Sequence, residues 1–273
     1  MAGLSTAKAL LKEGIDCTLF ERNAILGGVW ADGYYNFGVQ VQRELYEFPD
    51  WPLPSGTPNF TPGPAIQKYL TSYADHHGIT PCIQFNCTVG QLRERNDTSS
   101  GWTVVYRNDR GLHEDHFDLI VFCIGLYSDV PNMPEFPGQE RFTGEIMHIS
   151  CLKSLNQVEG KRVAVIDFGK SATDAAVESA AVASETAIVF RRAHWPVPRK
   201  LAGILPFKWG MLNRMTSTLI PLYYRPSPLE RLIHGAGKPL AWGYWRLVEL
   251  LLYFQCRLGS RFGTRVSMVP DEP

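Results

Sequence analysis

Apolar residues recur along this chain with two different periods, and the changes of period divide it into predicted helices and strands. Residues 1–15 have the apolar spacing of an amphipathic helix, and Gly14 stands where helix C-termini are commonly capped. Residues 16–21 then read as a short apolar strand that ends in a carboxylate. A second helical spacing covers residues 65–77, and residues 101–118 alternate as a β-meander around a turn. The pattern therefore predicts an α/β protein.

Two segments rich in proline and glycine, and one long apolar segment, interrupt this alternation. Residues 50–64 are predicted to form an irregular loop, and residues 129–138 a stiff crossover. Residues 201–262 are rich in Trp, Tyr and Leu. Arg246 and Glu249 lie beside the most apolar stretch, however, and each charge would cost about 2.5–3.5 kcal/mol at a bilayer centre. We therefore expect a helix packed into the protein, with an interfacial membrane contact as the alternative.

The segment 163–172 carries the clearest candidate chemistry. Its β-branched run leads through a tight turn at Gly169 into a helix of small residues, so backbone N–H groups at the helix N-terminus can face a pyrophosphate. The next predicted strand ends in Arg191 and Arg192, and a guanidinium suits a ribose 2′-phosphate, which favours NADP(H) over NAD(H). Asp167 stands where the first glycine of the fingerprint would be. An ordinary βαβ unit that binds no nucleotide is the alternative.

A second, incomplete fingerprint lies at the start of the sequence. Gly3 reads as the last glycine of a G-x-G-x-x-G motif, and Glu21 follows at about the offset of the acid that binds ribose hydroxyls. The Gly-Gly-Val-Trp sequence at 27–30 lets the backbone come close to a flat ligand, with Trp30 as an apolar wall. The alternative is a surface turn beside a buried Trp.

The two fingerprints, one acidic and one basic at the ribose position, resemble those of the flavin-containing monooxygenases with two dinucleotide-binding folds. Residues 142–148 match the F-x-G-x-x-x-H part of that family's identifying motif, although Leu152 stands where its closing aromatic residue belongs. Ser171 and Ala172 match the ending of the family's second fingerprint. Residues 117–125 resemble the strand that normally ends in Ala-Thr-Gly near the flavin. The resemblance covers most of the chain.

The resemblance implies two Rossmann-like three-layer dinucleotide-binding domains, the first lacking its first strand. Residues 1–140 would be a partial FAD-binding domain, 141–160 a linker with the F-x-G-x-x-x-H motif, and 161–273 a partial NADP-binding domain with a hydrophobic helical insert. FAD would be bound by a first set of residues: Gly3, Glu21, Arg22, Gly28, Val29, Trp30 and Gly125. NADP would be bound by a second set: Gly169, Ser171, Ala172 and Arg191. Gln40 aligns with an Asn that often lies beside the flavin ring, and is the candidate catalytic residue.

The activity implied by the resemblance is NADPH- and O₂-dependent oxygenation. NADPH would reduce FAD, O₂ would then give a C4a-hydroperoxyflavin, and an amine nitrogen or sulfide sulfur would take the distal oxygen. A Baeyer–Villiger oxidation of a ketone is the alternative within this class. The alternative from another class is a non-catalytic nucleotide-binding fragment, because a first strand and the strands that return to the FAD fold are missing from the sequence.

Composition excludes or weakens several other classes. The 273 residues are 45% hydrophobic, enough for a substantial core, and the formal net charge of zero argues against nucleic-acid binding. Six cysteines without a C-x-x-C pair predict neither a dithiol relay nor a zinc site. Scattered thiols favour a reducing compartment, so we expect a cytoplasmic protein with a possible membrane association, whose partners are a small nucleophilic substrate and O₂.

Overall fold

The computed structural model describes residues 1–95, 100–126, 130–191, 194–220 and 225–258. The helices are Ala2–Lys12 (α1), Gly63–His76 (α2), Lys170–Ala180 (α3), Phe207–Met211 (α4), Arg214–Ser217 (α5), Pro228–His234 (α6) and Lys238–Gln255 (α7). The strands are Leu19–Phe20 (β1), Ile83–Gln84 (β2), Thr88–Arg95 (β3), Gly101–Asn108 (β4), Gly111–Phe117 (β5), Arg162–Ile166 (β6), Glu185–Val189 (β7), Lys200–Leu201 (β8) and Leu205–Pro206 (β9). These elements form two compact units: unit 1 comprises Met1–Val39 and Arg43–Gln157, and unit 2 comprises Gln40–Gln42 and the described residues from Val158 onward.

Helix α1 is present as predicted, and Gly14 caps it. Gly14 has a φ of +72°, and its N–H donates to the Leu11 carbonyl at 3.1 Å. The N–H of Ile15 donates to the Leu10 carbonyl at 3.0 Å. These two bonds are those of a Schellman motif, which satisfies carbonyls that the helix end leaves open.

Parallel strand pairs lie in both units. In unit 1, β1 pairs with β2, Leu19 lying opposite Ile83, so the strand predicted over residues 16–21 is only two residues long. The predicted meander over residues 101–118 is confirmed, and β3 extends it to three antiparallel strands, a strand that the sequence pattern did not reveal. In unit 2, β6 pairs in parallel with β7, and α3 connects them as a βαβ unit.

The strand expected over residues 117–125 is not formed beyond Phe117. From residue 118 to residue 126 the backbone makes no hydrogen bond with any described residue. Ile120 packs against a buried cluster, but Ile124 and Leu126 are 83% and 94% exposed. The prediction was wrong because an apolar run becomes a strand only beside another strand that takes up its N–H and C=O groups. No described strand lies there.

The core of unit 1 lies between α2 and the loop that precedes it. One face of α2 is fully buried at Ile66, Leu70 and Tyr73, in agreement with the helical spacing of this segment. Phe48 stacks on Tyr73 with ring centroids 3.8 Å apart. Trp51, in the predicted irregular loop over residues 50–64, stacks on His76 with ring centroids 3.9 Å apart, so aromatic packing holds the start of that loop against the helix.

Helix α7 presents apolar residues on two faces. Trp245 and Leu252 are buried on one face, which packs near β8 and α4. Leu240, Leu247 and Phe254 share the opposite face at helical spacing and are 82%, 55% and 69% exposed. The expected packed helix is therefore present with one face covered. Among the described residues, none of the helices combines the length and the hydropathy needed to cross a bilayer.

Candidate dinucleotide sites

The loop between β6 and α3 has the backbone of a glycine turn although its first residue is an aspartate. Asp167 adopts a φ of +133°, a conformation that side chains other than glycine rarely take. Its N–H donates to the Val189 carbonyl at 3.0 Å, which ties the turn to the end of β7. A Cβ at Gly169 would lie 3.2 Å from Asp167 Oδ2, so the carboxylate lies close over Gly169. The structure thus retains the turn of the fingerprint at the position where the sequence departs from it.

The N-terminus of α3 follows this turn directly. Gly169 is the residue before the helix, and no side chain caps the first turn by a hydrogen bond. Ser171 and Ala172, the second and third residues of the helix, have small side chains that are half-buried and buried, respectively. The open N–H groups of a helix start and the positive end of its dipole favour a phosphate at this position.

The loop after β7 lies beside the loop after β6. Phe168 contacts Phe190, with ring centroids 4.5 Å apart, because parallel neighbouring strands end at the same edge of a sheet. Arg191 follows Phe190 immediately and is exposed. A guanidinium near the edge of a phosphate-binding turn fits a 2′-phosphate. Arg192, the second arginine of the predicted pair, lies outside the described residues.

In unit 1 the start of α1 lies between the end of β1 and the segment that contains Cys123. A Cβ at Gly3 would lie 3.5 Å from the Cys123 Cβ, an ordinary van der Waals contact. Burial lowers the pKa of the Met1 amino group, and the nearby Cys123 and Glu21 oppose that shift. Glu21 thus lies near the start of α1, as a ribose-binding acid of a dinucleotide fold would.

Glu21 is positioned by the backbone on both sides. Its N–H donates to the Gln84 carbonyl, and its carbonyl accepts from the Cys87 N–H, both at 2.9 Å. Its side-chain Oε1 accepts from the Asn23 N–H at 2.9 Å, which holds the carboxylate at the start of the following turn. The next residue, Arg22, is exposed.

The Gly-Gly-Val-Trp loop divides into an open part and a packed part. Gly28 has a φ of +55° with open space around its Cβ position, and Val29 is 53% exposed. Trp30 is half-buried, and its ring lies edge-on to Tyr46 at 5.6 Å. The loop therefore offers backbone and Val29 to a ligand, while Trp30 also supports the core. Gly27, the first residue of this loop, has a φ of +140°, and a Cβ there would lie 3.0 Å from Gln67 Cγ, closer than an ordinary contact.

The remaining candidate residues lie apart from these clusters. Gly125 has a φ of +79° with open space around its Cβ position, within the unpaired segment described above. Gln40 is exposed and groups with unit 2 rather than unit 1. His148, the last residue of the F-x-G-x-x-x-H motif, accepts from the Ser150 N–H through Nδ1 at 3.3 Å and caps a short 3-10 helix. Among the described residues no cluster of His, Cys, Asp or Glu is arranged to hold a metal ion.

Comparisons with known proteins cover most of the chain. Residues 1–227 match the family model FMO-like, flavin-binding monooxygenase-like. Flavin-containing monooxygenase 5 of Cavia porcellus is 33% identical over 213 residues, which are 73% of this chain and 40% of that protein. This chain therefore spans less than half the length of that relative.

Solved structures share the fold. S-allyl-L-cysteine S-oxygenase from Allium sativum superposes with a TM-score of 0.64 at 25% identity, over 74% of this chain and 52% of that one. An oxidized steroid monooxygenase bound to NADP superposes with a TM-score of 0.61 at 27% identity, over 73% of this chain and 38% of that one. These superpositions confirm the predicted α/β fold class with dinucleotide-binding domains.

Proposed function

Because this chain belongs to the flavin-binding monooxygenase-like family, we propose that it acts in the NADPH- and O₂-dependent oxygenation of a soft nucleophile, an amine nitrogen or a sulfide sulfur. The observation that carries the proposal is the glycine-type turn at Asp167, which leads into an uncapped helix start beside Arg191. Backbone N–H groups, a helix dipole and a guanidinium at one sheet edge form a site for a phosphorylated ribose and a pyrophosphate.

NADPH would be held in unit 2. The N–H groups around Gly169, Ser171 and Ala172 would bind the pyrophosphate, and Arg191 the 2′-phosphate. The carboxylate of Asp167 lies over Gly169 and would repel the phosphates, so we expect NADPH to bind more weakly than at a site with a glycine there.

FAD would be held in unit 1, and the residues present fit it. Glu21 would accept hydrogen bonds from the ribose, the start of α1 at Gly3 would face the pyrophosphate, and the open backbone at Gly28 would accommodate a flat ligand. Arg22, Val29, Trp30 and Gly125 complete the proposed set. Bound FAD would supply hydride acceptance and oxygen activation, chemistry that protein side chains do not provide.

Gln40 is proposed to act on the oxygenation step. Its amide can both donate and accept a hydrogen bond and carries no charge, so it could orient a polar oxygen beside the cofactor. The apolar side chains of Val29 and Trp30 would limit access of water to the bound FAD.

Binding of nucleotides tests the proposal at the site that carries it. In Arg191→Ala we expect the affinity for NADP⁺ to fall about 10- to 100-fold, the effect of losing a charge-assisted hydrogen bond, and the affinity for NAD⁺ to change much less. Arg162→Ala is the matched control, because Arg162 is an exposed arginine at the opposite end of β6, paired with Glu185 at 2.9 Å. Asp167→Asn should strengthen NADP⁺ binding. An equal loss of NADP⁺ and NAD⁺ binding in Arg191→Ala would place the 2′-phosphate elsewhere.

Flavin binding and turnover test the proposed FAD site and the proposed oxygenation reaction. Glu21→Ala should lower FAD occupancy, read from the flavin absorbance band, whereas Glu13→Ala at the opposite end of α1 should not. With amines, sulfides and ketones as substrates and ¹⁸O₂, we expect label in N-oxides or sulfoxides, and Gln40→Leu should divert NADPH oxidation to H₂O₂ release. Labelled esters would favour the Baeyer–Villiger alternative. Nucleotide binding without NADPH oxidation would favour the non-catalytic one.

We also propose a peripheral membrane contact for residues 194–258. The face of α7 that carries Leu240, Leu247 and Phe254 is exposed. This segment contains nine basic residues and only two acidic ones, Glu230 and Glu249. An apolar stripe in a basic surrounding fits an anionic lipid surface. We expect the protein to sediment with anionic vesicles but not with neutral ones, and Leu247→Glu to abolish this sedimentation. If the protein sediments with neither kind of vesicle, the proposed membrane contact is overturned.

A further inference from the structure

Two cysteines from distant parts of the sequence meet at the base of the β1–β2 pair. Cys17 lies two residues before β1, and Cys82 lies directly before β2. The parallel register places Leu19 opposite Ile83, so the two cysteines are offset by one residue along neighbouring chains. Cys82 is itself the last residue of a short 3-10 helix, and extending the register of the two strands back to both cysteines, at a strand spacing of about 4.8 Å and a rise of about 3.3 Å, gives a Cα separation of about 6 Å. That separation is within the range that a disulfide spans.

The side chains meet as well as the backbones. The thiols of Cys17 and Cys82 lie close enough for Cys82 to influence the ionisation of Cys17, and both residues are half-exposed, so a small oxidant can reach them. Burial raises the pKa of Cys17, and the neighbouring Cys82 thiol adds to that shift. Of the other cysteines, Cys87 is buried, Cys123 and Cys151 are exposed, and Cys256 is half-exposed but lies in unit 2.

We propose that Cys17 and Cys82 form a reversible disulfide, a redox modification site that closes the base of β1 and β2. With a peroxide as the two-electron oxidant, one thiolate attacks the O–O bond, becomes a sulfenic acid and releases water after proton uptake. The second thiol attacks that sulfur, the S–S bond forms, and the sulfenic oxygen leaves as a second water. Two thiols and one H₂O₂ thus give one disulfide and two waters.

The disulfide would act on the position of Glu21. Glu21 is held between β2 and the following turn by its bonds to Gln84 and Cys87. A covalent link at the start of both strands would limit their separation and hence the movement of Glu21. The link would also close a loop of more than sixty residues, which restricts the unfolded chain and raises the melting temperature of unit 1.

Peptide mapping tests the pairing directly, without any requirement for bound cofactor. The reduced chain is treated with H₂O₂ at pH 7.0 and pH 8.5, free thiols are alkylated, and the protein is digested without reduction. Trypsin releases Cys17 within residues 13–22 and Cys82 within residues 69–93. Chymotryptic cleavage after Phe85 then separates Cys82 from Cys87. We expect a linked pair of peptides containing Cys17 and Cys82, formed faster at pH 8.5 because of the raised pKa of Cys17, and lost on treatment with a thiol reductant.

Matched variants complete the test. Cys82→Ser should abolish the linked peptide and leave Cys17 open to alkylation, whereas Cys151→Ser should leave the link unchanged. Peroxide should raise the melting temperature of the parent by several degrees, reversibly, and that of Cys17→Ser not at all. The proposal is overturned if Cys17 is alkylated as completely after oxidation as before, or if it pairs with Cys123 or Cys151 as often as with Cys82. Since mapping is done on the parent chain, a variant that fails to fold does not affect this outcome.

Discussion

Replacement of Tyr69 by Phe tests how the loop beside the proposed flavin site is held. The Tyr69 ring is 3% exposed and lies on the buried face of α2. Its hydroxyl accepts from the Phe48 N–H at 2.8 Å and donates to the Trp51 carbonyl. Burial raises the pKa of this hydroxyl, which therefore stays protonated and able to donate. One hydroxyl thus connects both ends of the turn at residues 48–51 to the helix.

The expected loss of stability follows from the two backbone groups that Tyr69→Phe leaves without their hydrogen-bond partner. Phe retains the ring and its stacking on Phe48 at 5.8 Å, so little packing is lost. The Phe48 N–H, which belongs to a residue only 7% exposed, loses its partner, and an unsatisfied buried donor costs about 1–3 kcal/mol. The Trp51 carbonyl belongs to a half-buried residue and can be hydrated in part. We therefore expect Tyr69→Phe to lower the free energy of unfolding of unit 1 by about 2 kcal/mol.

Hydrogen exchange of the α2 amides, measured by mass spectrometry, is the appropriate assay because it reports unit 1 separately from unit 2. Tyr46→Phe is the matched control, since Tyr46 lies two residues before the same turn in the sequence and its hydroxyl makes no hydrogen bond with a described residue. It should change the free energy by less than about 0.5 kcal/mol. Equal effects of the two substitutions would refute the argument that the Tyr69 hydroxyl holds the turn.

Three further outcomes follow from single observations. Burial, with Lys8 and His76 nearby, lowers the pKa of His77, so on acidification the unfolded chain binds a proton before the folded chain does. Unit 1 should therefore lose stability as the pH falls below about 6.5. Urea titrations at pH 5.5 and 7.5 should show a smaller loss in His77→Gln than in the parent, and an unchanged pH dependence would contradict this prediction. Asp167→Gly should stabilise unit 2 by about 1 kcal/mol through relief of its positive φ, whereas Asp167→Asn, which keeps the backbone strain, should not. Amides of residues 119–125 should exchange far faster than those of β4; equal protection would mean that the segment is paired.

Local patterns were sufficient where an element depends on its own residues. The spacing of α1 and its cap at Gly14, the helix α2 and the turn between β4 and β5 were all predicted, because helix faces, left-handed caps and tight turns are fixed by neighbours in sequence. The missed strand β3 and the two-residue length of β1 depend instead on which chains pair, which sequence alone did not reveal.

For the candidate sites, too, some features could be predicted from local sequence and others could not. The order strand, turn, helix, strand around Gly169 and the charges of Glu21 and Arg191 could be predicted from the sequence, since Arg191 lies at a fixed offset within one βαβ unit and Glu21 directly follows the strand after α1.

Other features of the candidate sites and of the fold were decided only by the tertiary structure. It showed that Asp167 adopts a backbone conformation typical of glycine, that residues 118–126 stay unpaired, and that Cys17 meets Cys82. Each of these depends on contacts between segments far apart in the chain. Such contacts form because burial and hydrogen bonding of the whole unit offset local strain and loop closure, a balance that no local pattern contains.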